Sequence, residues 1–141
     1  MLFRSGADHT AGLIVNPGVP PDQMALMSRE YQLVNAVCDS SGFCQFLQPT
    51  LDNIREYYGL FYDEEVSREQ IAEIGWQCLA DEWDFNDRAG FTPDDDDLPD
   101  CLREEGVGPG GAMKFDVSKE IIEQAKKREA WRDEKIGRAH V

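Results

Sequence analysis

Apolar positions along the chain recur at helical intervals. From Asp22 to Cys38 they fall at Met24, Met27, Tyr31, Val34 and Cys38, steps of three and four that lay one stripe along a helix. Pro20 and Pro21 stand at its start, where a missing N–H costs nothing. Asp39, Ser40, Ser41 and Gly42 close it: the short polar side chains compete for the backbone, and Gly42 takes a left-handed conformation without a Cβ clash. Thr50 reads as the N-cap of a short helix from Leu51 to about Tyr58, closed by Gly59. Ser67 and Gln70 form an S-x-x-Q capping box that opens the next helix. There Ile71, Ile74 and Cys78 make one stripe and Trp76, Leu79 and Trp83 another, so that helix is expected to be buried on most sides. Past Asn86 the chain loosens through DRAGFTPDDDDLPD and EEGVGPGGAM, and a last helix is expected from an Asp116 cap through Ile121, Ile122, Ala125 and Trp131. With no convincing period-2 strand and no internal repeat, the pattern predicts an all-α fold, an irregular helical bundle.

Composition narrows what such a bundle does. The 141 residues suffice for one domain with a sizeable core. Twenty-eight acidic against 14 basic residues leave a net charge of -14, which repels nucleic acid and anionic membrane surfaces and sets both aside as partners. No apolar run approaches the roughly 20 residues of a membrane span, and the opening run is too short for a secretory signal, so a cytoplasmic location is expected. Four cysteines are too few for a disulfide scaffold and are expected as thiols. Both ends are unusual. The last six residues, IGRAHV from Ile136 to Val141, resemble a translated sequencing adapter and read as a non-native tail, leaving 1–135 as the domain. At the start, FRSGADHTAG enters Gly-, Asp- and His-rich chemistry with no preceding element to support it, and the chain reads as a fragment lacking an N-terminal portion.

Chemistry concentrates in VCDSSGFCQF, Val37 to Phe46. A helix ending in Asp39-Ser-Ser-Gly42 presents a carboxylate, two hydroxyls and backbone N–H groups freed by the turn, a set that suits a polar heterocycle. Cys44, two residues past the glycine, is placed to direct a thiolate at a soft metal centre beside it. An ordinary helix stop with a buried thiol uses the same residues, and spacing alone favours that plainer reading.

Three segments together point further. Asp39-Ser-Ser-Gly42-Phe43-Cys44 resembles the D-x-x-G-L-C motif of the aldehyde ferredoxin oxidoreductase family, with Phe43 in place of leucine. Asn86 to Pro99, NDRAGFTPDDDDLP, is similar to that family's N-x-R-E-G-F-T-x-x-D-D-x-L-P, with Ala89 in place of glutamate. RSGADHTAG around His9 falls where the family has a histidine-bearing loop. Order and approximate spacing agree from Arg4 to Pro99, and the resemblance implies the C-terminal helical domain of a longer enzyme.

The resemblance implies that an aldehyde is oxidised to a carboxylic acid at a tungsten or molybdenum bis-pterin, with electrons leaving through a [4Fe-4S] cluster to ferredoxin. It gives Asp39 a hydrogen bond to the pterin, Phe43 a backbone contact with the same group, and Cys44 the role of last cluster ligand. His9 would sit near the metal as proton donor or acceptor, a step that suits a side chain titrating near neutrality. The other three cluster ligands are expected upstream, because Cys38 and Cys78 lie on apolar stripes and no tight cysteine run exists; Cys101 is open to either reading. The missing N-terminal part of the same enzyme is thus an expected partner, and a homodimer is left open. The run Asp94–Asp97 lacks calcium-loop spacing and reads as a solvated turn, in which Asp95 or Asp96 caps a helix or pairs with Arg88. Two alternatives stand: a cofactor-free acidic helical interaction module, and a relative acting on aromatic thioesters.

Overall fold

The computed structural model describes residues 19–127 except 93, 96–98, 107 and 113. Among the described residues all regular structure is helical, in the order α1 (Pro21–Ser41), α2 (Leu51–Tyr62), α3 (Arg68–Ala89), α4 (Asp100–Glu104) and α5 (Lys119–Ala125). Single 3₁₀ turns lie at Gln45–Leu47 and Pro109–Gly111. The all-α expectation holds. His9, Asp96, Trp131 and the tail Ile136–Val141 lie outside the described residues.

The helix starts follow local chemistry. Ser67 Oγ accepts from the Gln70 N–H at 3.2 Å while Gln70 Oε1 accepts from the Ser67 N–H at 2.8 Å, the capping box read from the sequence. Thr50 and Asn53 make the same reciprocal pair at α2. At α5 the cap is Ser118, whose Oγ accepts from the Ile121 N–H, rather than Asp116, so the helix opens two residues later than expected. Helix α2 does not stop at Gly59 but continues to Tyr62 and closes on Asp63 in a left-handed conformation. Gly59 instead makes room for the returning chain: a Cβ there would lie 3.2 Å from the Glu64 carbonyl oxygen.

Helix α1 is the centre of the molecule, packed by α3 on one side and by α5 and α2 on others. Leu33, Val34, Ala36, Val37 and Cys38 meet Leu51 and Ile54 of α2 and Ile71 and Leu79 of α3 in one cluster. Each buried leucine or isoleucine contributes about 1.5–3 kcal/mol relative to exposure. The single stripe expected on α1 is therefore too narrow. Met24, Met27 and Tyr31 are only half-buried, whereas from Gln32 to Cys38 the helix is buried on every face. Gln32 is paired there: its Oε1 accepts from the Arg29 guanidinium at 2.6 Å, and that guanidinium lies 5.1 Å from the Trp83 ring, whereas the buried Asn35 Nδ2 has no hydrogen-bond partner among the described residues.

Helix α3 is buried along Ile71, Gly75 and Leu79, at steps of four, with Ile74, Trp76, Cys78 and Trp83 packed half-buried alongside. Each of the two stripes expected there supplies one residue to this line, Ile71 and Leu79, and Gly75, which carries no hydrophobic signal, sits at its middle.

Candidate cofactor-binding turn

The chain leaves α1 through a complete Schellman closure. Gly42, at φ 74°, donates its N–H to the Asp39 carbonyl at 3.3 Å, and the Phe43 N–H reaches the Cys38 carbonyl at 3.1 Å. Phe43 is half-buried against the core and meets Tyr57 of α2 edge-to-face, with ring centroids 5.0 Å apart. This ring anchors the turn. The Asp39 and Cys44 side chains, before and after the left-handed residue, are both exposed. A 3₁₀ turn begins at once, the Leu47 N–H donating to the Cys44 carbonyl at 3.0 Å.

The two thiols bracketing this turn are chemically distinct. Cys38 is 3% exposed and its Sγ lies 3.9 Å from the Pro49 carbonyl oxygen. Burial pushes its pKa up, and the charge of neighbouring Asp39 adds to the effect, so it stays a thiol and fills the core. Cys44 is free and exposed. Ser41 Oγ is buried within the turn and has no hydrogen-bond partner among the described residues, which leaves one hydroxyl there unspent. The donor set, a carboxylate, a hydroxyl and a free thiol around one glycine, fits a group that needs both a polar ring acceptor and a soft ligand. Among the described residues no three His, Cys, Asp or Glu side chains gather to hold a metal.

The structure thus brings Asp39, Phe43 and Cys44 into one turn, while His9 lies outside the described residues. Of the other thiols, Cys78 is half-buried with Sγ 3.8 Å from Glu82 Oε1, and Cys101 is exposed on α4.

The second motif segment closes α3 in the same way. Gly90, at φ 91°, donates to Asp87 O at 3.1 Å and the Phe91 N–H donates to Asn86 O at 3.1 Å. Asp87-Arg-Ala-Gly90-Phe91 therefore repeats the closure of Asp39-Ser-Ser-Gly42-Phe43, but Phe91 is exposed where Phe43 is anchored. The chain then turns on Asp95, whose carboxylate accepts from the Thr92 N–H at 2.7 Å and from its hydroxyl at 2.8 Å. These bonds hold the Asp95 carboxyl below the usual range. Arg88 pairs with Asp84 at 2.6 Å, and Asp94 with Lys119 at 2.8 Å. Asp95 caps a turn, so the helix-capping role considered for it goes to a tighter local structure.

The aromatic surroundings of the first turn were not read from the sequence. Tyr57, Tyr58, Phe61 and Tyr62 pack ring to ring along α2, starting from Phe43. The signal was available in YYGLFY, where apolar residues recur at i and i+4 but on more than one face.

Among curated proteins and among solved structures none matches the chain. The family model described as Aldehyde ferredoxin oxidoreductase, domains 2 & 3, matches residues 2–131, a span that contains all three motif segments and every described helix. With that match over most of its length, and with the D-x-x-G-F-C turn formed at the end of its central helix, the chain belongs to the aldehyde ferredoxin oxidoreductase family.

Proposed function

We propose that the chain, over residues 1–135, is the C-terminal helical part of an oxidoreductase that converts aldehydes to carboxylic acids. The observation that carries this reading is the family match together with one turn that leaves Asp39 and Cys44 exposed on either side of a left-handed glycine. A bis-pterin with tungsten or molybdenum and a [4Fe-4S] cluster would supply the two-electron oxidation of the hydrated aldehyde and the exit of electrons to ferredoxin.

The chain's own residues hold and orient. Asp39 would accept hydrogen bonds from ring N–H or amino groups of the pterin, and the Phe43 backbone would contact the same ring, its side chain pinned by Tyr57. Cys44 would give its thiolate to the cluster, which needs the thiol exposed and deprotonated. Cys38, on the other side of the turn, is buried in the core cluster and is not presented to a cofactor there. His9 would hold or release a proton beside the metal. All four cysteines are free, a state suited to a reducing cytoplasm, and no helix among the described residues is long and apolar enough to cross a membrane.

The test is made on the complete enzyme containing this chain. Wild-type protein is expected to contain iron, sulfide and tungsten or molybdenum, and Cys44→Ala to lose the reduced-cluster signal in low-temperature electron paramagnetic resonance. An unchanged spectrum removes Cys44 as a ligand, and a colourless, metal-free parent removes the enzymatic reading in favour of an interaction module.

A further inference from the structure

Asn35 is 7% exposed on the central helix α1, and its Nδ2 is buried with no hydrogen-bond partner among the described residues. A turn earlier the same helix treats a buried amide differently. Gln32 Oε1 accepts from Arg29 at 2.6 Å, and Gln32 Nε2 donates to Ser28 Oγ at 3.4 Å. An amide left unpaired inside a fold costs more than an apolar side chain of the same branched shape, and leucine would also favour the helix more than asparagine does. The packing of α1 therefore gives no reason for an asparagine at this position, and a buried donor of this kind calls for one.

Its place along the helix supplies the reason. Asn35 and Asp39 stand four positions apart in α1 and so share one face, and helical side chains lean toward the N-terminus, which brings the Asp39 side chain back over Asn35. Burial ends between them: α1 is buried through Cys38 and exposed at Asp39 and Ser40, so the amide lies just beneath the carboxylate that meets solvent at the turn. The same spacing is bonded on α3, where Gln77 Nε2 donates to Asp81 Oδ1 at 2.7 Å. A carboxylate that accepts from pterin N–H groups still has lone pairs for a donor from its own helix. Held from both sides it keeps one orientation, and an acceptor fixed beforehand binds more tightly than one that must be ordered on binding.

We propose that Asn35 is the positioning residue for Asp39: in the loaded enzyme its amide N–H donates to the Asp39 carboxylate and holds that carboxylate toward the pterin. This rests on the reading of the chain as part of an aldehyde ferredoxin oxidoreductase, in which Asp39 accepts from the pterin. Asn35 itself touches neither pterin nor cluster. Gly42 lies about 10 Å further along the helix axis, and Cys44 follows it, so the amide serves the pterin side of the turn and leaves the cluster side alone.

The test uses the complete enzyme with Asn35→Leu and with Asn35→Gln. Pterin content and its rate of release on dialysis are read from the fluorescence of the oxidised pterin, beside the reduced-cluster signal in low-temperature electron paramagnetic resonance. Asn35→Leu keeps the branched shape and removes the donor; it is expected to hold less pterin and to release it about tenfold faster, as for one lost hydrogen bond to a charged group, with the cluster signal unchanged. Asn35→Gln returns the donor on the pattern of Gln77 and Asp81 and is expected to recover most of the retention, which a role in packing alone gives it no reason to do. Release from Asn35→Leu at the wild-type rate overturns the proposal. So does an equal loss in both variants, or loss of the cluster signal together with the pterin, which marks a residue that holds the whole turn. A wild-type enzyme without pterin overturns this proposal and the enzymatic reading together; a loaded wild type matched by Asn35→Leu overturns this proposal alone.

Discussion

Gly75 of α3 lies against the backbone of Leu33 in α1. A Cβ at position 75 would come 2.6 Å from the Leu33 carbonyl oxygen and 2.7 Å from Val37 Cγ2, distances that real Cβ atoms do not adopt. The absence of a side chain here sets how closely the two central helices approach, and so how tightly Leu33, Val37, Ile71 and Leu79 interdigitate.

Gly75→Ala is therefore expected to destabilise the chain even though alanine favours a helix by about 1 kcal/mol over glycine. The obstacle on one side is backbone, which cannot rotate away, and overpacking of this kind typically costs about 1–3 kcal/mol. The midpoint of urea unfolding should fall, and Gly75→Val should fall further. An alanine variant as stable as the parent would show that α1 and α3 have room to separate.

Gly42 makes the opposite case. Nothing lies within 4 Å of a Cβ built on it, yet its φ of 74° is a conformation that other residues enter only at a cost of about 1–2 kcal/mol. Gly42→Val is expected to lose about that much in urea unfolding, and Gly42→Asn distinctly less, since asparagine tolerates the left-handed region. In the complete enzyme the valine variant should also shift the cluster signal, because the strain falls two residues from Cys44.

Cys38 predicts a pH dependence. Its folded pKa is raised above the ordinary thiol value of 9.0, first by burial and then by Asp39, so the folded state holds the proton where the unfolded chain releases it. The stabilisation is full below the ordinary thiol value and is lost as the pH climbs from there through the folded pKa. Urea midpoints measured between pH 8 and 10 should decline for the parent, and the decline should shrink in Cys38→Ala. At pH 8 a thiol reagent should modify the exposed Cys44 and Cys101 at once and Cys38 only on unfolding.

For Asp95 the sign reverses. Its carboxyl is held low by the Thr92 N–H and hydroxyl, so the turn is favoured above the ordinary aspartate value and loosens as the pH falls through the depressed one. Carbon-detected nuclear magnetic resonance should find the Asp95 carboxyl titrating below the ordinary aspartate value, and Thr92→Val should move it back up.

What the sequence determined by itself is the local punctuation. The S-x-x-Q box at Ser67, the Thr50 cap and the glycine stop at Gly42 were legible because each is a contract between residues at most a few positions apart. The D-x-x-G-F-C turn belongs to the same class, and the family was legible from it together with the segment from Asn86 to Pro99. Tertiary structure decided the rest. That α1 is buried on all faces from Gln32 to Cys38, the polar Gln32 and Asn35 included, follows from the helices that surround it. Gly75 carries no hydrophobic signal, since its role is to be small opposite a residue 42 positions away, Leu33. Gly59 lies within α2 and leaves room for the returning Glu64 carbonyl, and the exposure of Phe61 and Tyr62, on the same side of α2 as Ile54 and Leu51, depends on how far along that helix the core extends. Periodicity reports that a residue is apolar; only the packed chain settles which apolar residues are spent inside and which stay exposed.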